Sequence, residues 1–147
     1  MNLVVLAQKI FKTEKPTFFV EPPRDYEGVE HNETLMKSSM ETIGLAELGN
    51  PGWDPLCFCS EEGMKYFFPA LVRLTLDTID DDFYFEQLLF HLRYEGQKNR
   101  FLNSCSTDQK EFVSMFLIYM IENHAEEIDK NLEADAVLEI HQLWHDK

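Results

Sequence analysis

The sequence predicts a mainly α-helical fold: a single domain over residues 1–147, built as a compact bundle of five or six helices with an irregular, Pro/Gly-rich N-terminal half. Three observations carry this expectation. Apolar residues recur at i, i+3, i+4 spacing in several separate segments, as one face of a helix requires. Helix-start signals precede the strongest of these segments. Prolines and glycines, which remove amide donors or loosen the backbone, gather between Pro16 and Pro55. A chain of 147 residues with 44% hydrophobic and 27% charged residues is large enough for one core and gives no compositional case for disorder.

Leu3, Leu6, Ala7, Ile10 and Phe11 predict an opening amphipathic helix limited by Pro16. Thr17 to Val29, with its Glu-Pro-Pro-Arg stretch, predicts an extended loop anchored by Phe18 and Phe19. A short helix over His31 to Met40 would take Asn32 as its N-cap. Gly49-Asn50-Pro51-Gly52 has the Pro-before-Gly order of a type II turn. Ser60, with Glu61 and Glu62 after it, opens a helix whose stripe is Met64, Phe67, Phe68, Leu71 and Leu74, and Pro69 should kink or divide it. Asp80, Asp81 and Asp82 precede a helix carrying Phe85, Leu88, Leu89 and Leu92, with the aspartates as its caps and Gly96 as its stop. Ser106 and Gln109 form a capping box before Phe112, Met115, Phe116, Tyr119 and Met120, the expected central helix. A last, acidic helix places Leu132, Ala136, Ile140 and Leu143 at helical spacing.

Twenty-seven acidic against thirteen basic residues leave a formal charge of -14, which repels polyphosphate and suits a basic protein partner, although an acidic excess also serves solubility alone. Nucleic acid and membrane partners are therefore not expected. The longest apolar stretch, Phe112 to Ile121, is interrupted by Ser114 and is too short to cross a bilayer, and the first dozen residues lack the pattern of an export signal. Cys57, Cys59 and Cys105 are an odd number without metal-ligand spacing, which fits reduced thiols and a cytoplasmic location.

The chain contains no Gly-rich phosphate loop, Gly-x-Ser-x-Gly elbow, His-Glu-x-x-His or Cys-x-x-Cys, and no cofactor is expected. His141 and His145, at i, i+4, share a helix face as metal ligands need, but two ligands do not make a site, and solvated histidines are the simpler account. His91 and Glu95 have the same spacing, available to proton transfer or to a surface ion pair. Cys57 and Cys59 are expected to be buried, with an activated thiol at the Ser60 helix start as the alternative. Trp53 and the run Tyr66, Phe67, Phe68 serve either the core or a ligand cleft or interface anchor.

The stretch Leu45-Ala-Glu-Leu-Gly-Asn-Pro-Gly-Trp-Asp-Pro-Leu-Cys-Phe, followed by Ser60-Glu-Glu-Gly-Met-Lys-Tyr-Phe-Phe-Pro-Ala-Leu, resembles a family of small, mostly bacterial proteins of unknown function. The resemblance is most specific from Trp53 to Leu71; it implies a helical C-terminal half and no activity. Some members carry cysteines before a Glu-His pair, whereas here Glu30-His31 is preceded by Pro22, Pro23 and Tyr26, so the resemblance implies that any metal held there is lost in this chain.

The expected function is protein binding: an acidic, adaptor- or inhibitor-like domain without catalytic activity, whose carboxylates steer a basic partner and whose aromatics anchor it. The residues expected to bind are Trp53, Asp54, Tyr66, His91 and Glu95. The alternative is a metal-dependent or acid/base enzyme with its site near Trp53, using His31, His91, Glu95 or the C-terminal histidines.

Overall fold

Asn2 opens the first helix, α1 (Leu3–Ile10), by accepting a hydrogen bond from the Val5 amide at 3.1 Å, and Leu3, Ala7 and Phe11 are buried along one face. The computed structural model describes residues 2–147; among them are nine α-helices, three short 3-10 turns and no strand. The helical class stands, but the helices outnumber the expected five or six. Polar caps close and reopen the backbone at several points where apolar periodicity alone suggests one continuous element or a loop. No helix among the described residues is long and apolar enough to cross a membrane.

The chain divides into two compact units, residues 2–74 and 75–147, with the division falling inside α4 (Glu61–Asp77). In the first unit α2 (Tyr26–Met36) begins well before the expected His31 start. Asp25 is its cap and accepts from the Gly28 amide at 2.8 Å, so the proline-rich loop ends sooner than predicted. Asn32 instead sits within the helix, and its Oδ1 accepts from the Phe19 and Val20 amides at 2.7 and 3.0 Å. That bond anchors the loop through buried Phe19 and Val20, while Phe18 stays partly exposed. After α3 (Leu45–Leu48), Gly52 does not have the positive φ of a type II turn. Asn50 Oδ1 accepts from the Gly52 amide and tightens Pro51–Trp53 into a 3-10 turn; Asp54 does the same for Leu56 and the turn Pro55–Phe58.

Ser60 Oγ accepts from the Gly63 amide at the start of α4, as expected, and the helix runs unbroken through Pro69. Met64, Phe67, Phe68, Leu71, Val72 and Leu74 are all buried, so packing on several sides offsets the missing proline donor. Phe68 meets Phe11 at a ring separation of 4.5 Å and Phe67 meets Phe19 at 5.0 Å.

In the second unit the three aspartates are exposed and do not cap α5 (Phe85–Arg93). Thr78 holds that start, its Oγ1 accepting from the Tyr84 amide and its carbonyl from the Phe83 amide. After α6 (Arg100–Ser104), the capping box of Ser106 and Gln109 opens α7 (Thr107–Asn123) as predicted. Its buried stripe is Phe112, Val113, Phe116, Leu117 and Met120, and Met115 faces outward. The single last helix is instead two, α8 (Ala125–Lys130) and α9 (Ala134–Asp146). Leu132 is the break: its φ is 61° and it is 91% exposed, while Glu133 N–H reaches back to the Ile128 carbonyl in a left-handed helix stop. Val137, Ile140 and Trp144 form the buried face of α9, which packs on α7.

Candidate functional site

Because Asp25 starts α2 early, Glu27 and His31 fall one turn apart on that helix, and His31 Nε2 lies 3.3 Å from Glu27 Oε1. The two 3-10 turns, set by Asn50 and Asp54, bring Trp53 and Phe58 to the same imidazole. The His31 ring centroid is 4.4 Å from that of Trp53, and 5.1 Å from that of Phe58 in a nearly parallel stack. His31 is fully buried, yet Trp53 is 40% and Phe58 48% exposed. The result is an aromatic cluster, here called a layer, in which the imidazole is hidden and both of its ring neighbours meet solvent.

The polar side of this layer is unbalanced. His31 Nε2 contacts Glu27, while Nδ1 is buried without a hydrogen-bond partner. An unmet buried polar group costs about 1–3 kcal/mol, so a group retained in that state calls for an explanation in packing or in ligand binding. Between Asp25 and Met36 the chain carries four carboxylates and no Lys or Arg, which makes the neighbouring helix surface acidic.

Asp54 is buried beside Trp53, and its Oδ1 accepts from the Leu56 amide at 2.9 Å. Burial first, and the Asp54 carboxylate second, push the Cys57 thiol up to about 11. Burial, then Asp54 and Glu61, push Cys59 higher still. Burial, aided by these negative charges, outweighs the helix start at Ser60, so neither thiol is activated there. Cys57 is also exposed rather than buried as expected.

Tyr66 belongs to another cluster of the same unit: its hydroxyl accepts from the Met40 amide, and its ring meets Phe67 and Phe19. In the second unit His91 is buried on α5, but Glu95 does not share its helix. The helix ends at Arg93, and Glu95 turns out with φ 63°, which removes the expected i, i+4 relation. His141 and His145 do stack on α9, with ring centroids 5.6 Å apart. Among the described residues no third ligand gathers with them.

His31, Phe58 and Glu27 are the members of this cluster for which the sequence gives the weakest signal. The Glu27–His31 spacing is visible only once Asp25, rather than Asn32, is taken as the cap. The chain matches no family model, no curated protein and no solved structure.

Proposed function

We propose that this chain is an acidic protein-binding domain of adaptor or inhibitor type that docks a basic partner. The observation that supports it is the half-exposed pair Trp53 and Phe58, set against the carboxylate-rich α2. Aromatic side chains fixed by their neighbours bury much area at little entropic cost and are frequent interface anchors. The charge of -14 speeds encounter with cations and discourages polyanions. Glu27 and His31 resemble an acid/base pair, but an imidazole closed off from solvent by two rings offers a substrate no proton, which favours binding over catalysis.

The test is retention of partners from native extract by the tagged chain, washed through rising salt and compared with a Trp53→Ala/Phe58→Ala variant. A basic protein that is released by salt and lost by the variant is the expected result, because ions screen the steering charges. No specific retention at low salt would overturn the reading.

A further inference from the structure

We infer that the Trp53, His31 and Phe58 layer, together with Glu27, is an arginine-accepting site: the partner's guanidinium lies against the Trp53 ring and pairs with the Glu27 carboxylate. This inference rests on the basic-partner reading above and names the group that the partner must bring.

Geometry allows one cation to serve both contacts. Trp53 and Glu27 flank the same imidazole, at 4.4 Å between centroids and 3.3 Å from Nε2, so the indole centroid and the carboxylate oxygen are at most about 9 Å apart. A cation within about 6 Å of an indole centroid is attracted to its face. A charge-assisted hydrogen bond needs about 2.8 Å, so a guanidinium between the two satisfies both. Both partners are open to it, with the Trp53 residue 40% and the Glu27 side chain 43% exposed. Tyr26, one residue before Glu27 and 84% exposed, extends the aromatic border.

Chemistry selects arginine over lysine. A guanidinium is flat, weakly hydrated and carries five N–H donors, whereas an ammonium is a compact, strongly hydrated charge. The site presents a flat indole ring and, beside it, a carboxylate already engaged by the buried His31 Nε2. A planar ligand with several donors answers both. No Lys or Arg lies between Asp25 and Met36, and Arg24, just before the cap, is tied to the Val20 carbonyl at 2.8 Å.

Calorimetry of the whole chain with octa-arginine and octa-lysine peptides at low salt tests this. Trp53 emission provides a second readout, since the other tryptophan, Trp144, is buried. The arginine peptide should bind about tenfold more tightly and shift the Trp53 emission. Trp53→Ala should erase the preference, and Glu27→Gln should weaken arginine binding several-fold. Circular dichroism confirms that each variant is folded. Equal affinity for the two peptides, or a preference that survives Trp53→Ala, overturns the arginine site while leaving a basic partner in place. Binding of neither peptide overturns both readings.

Discussion

In residues 2–74 the irregular backbone is fastened by side chains that reach far along the chain. Lys15 Nζ donates to the Met36 and Ser38 carbonyls at 2.8 and 2.7 Å, Asn32 accepts from two loop amides, and Arg73 donates to the Met40 and Ile43 carbonyls. In residues 75–147 the fastening is mostly local. Thr78, Asn99 and Ser106 each bond backbone groups within eight residues, and the long-range bonds here include Trp144 Nε1 to the Leu92 carbonyl at 2.9 Å and Lys110 Nζ to the Lys147 carbonyl at 3.4 Å. Every buried main-chain polar group must be paired. Helices and 3-10 turns meet that demand internally and through caps from nearby side chains, whereas the irregular loops of residues 2–74 also take distant ones. The exposed aromatic layer lies in the unit built the second way, where side chains already fixed for structural reasons can also hold a binding face.

The comparison is sharpest at two asparagines. Asn99 is buried, with Nδ2 donating to the His91 and Tyr94 carbonyls and Oδ1 accepting from the Leu102 amide. Asn99→Ala should cost about 3 kcal/mol, roughly one for each lost bond, measured by urea unfolding. Asn32→Ala should cost about 2 kcal/mol and, in hydrogen exchange, selectively unprotect the Phe19 and Val20 amides. An exchange pattern spread evenly over residues 2–74 would break the claim that this clamp acts on one loop.

Gly63 probes the same unit through packing. A Cβ there would collide with Cys59 Sγ and stand 2.7 Å from the Phe19 ring, so Gly63→Ala should destabilise by about 2 kcal/mol through overpacking. In the second unit the expected sign reverses. Leu132 holds a left-handed backbone that favours glycine and contributes almost no burial, so Leu132→Gly should stabilise by up to about 1 kcal/mol. A loss of stability would mean that the exposed leucine makes a contact that the backbone geometry does not reveal.

These positions also show what was legible in the sequence. The capping box at Ser106 and the stripes of α4, α5 and α7 follow from spacing, because a helix satisfies its own backbone and leaves periodicity as the visible trace. Asn32 was misread as a cap because its partners, Phe19 and Val20, precede it by more than ten residues, and no local pattern records such a bond. Leu132 has helical spacing in the sequence, yet its φ is not helical and it breaks the expected last helix in two. Trp53 stands out in the sequence as an aromatic beside a Pro-Gly turn. His31 and Phe58 were not legible as its neighbours, since their meeting depends on the Asp25 and Asp54 caps acting together. The Glu95 partner expected for His91 failed for the same kind of reason, a helix ending two residues early.

The smallest expected effect lies at Glu133, where the acidic surface acts on the fold itself. Burial first, and the Glu86 carboxylate second, raise the Glu133 carboxyl above its ordinary range, with Arg93 partly opposing them. A raised folded-state value means that the folded chain holds this proton more tightly than the unfolded chain does. Ionisation therefore costs stability, fully so above the folded value, and the cost disappears below the ordinary carboxylate value of about 4.3. Glu133→Gln removes the charge with little change of shape. Its melting temperature at pH 7 should exceed that of the parent by less than the Leu132→Gly gain, and the difference should shrink to nothing as the pH falls below about 4. A gain independent of pH would show that the side chain's shape, rather than its crowding against Glu86, sets the cost, and it would remove like-charge repulsion from the forces acting on this unit.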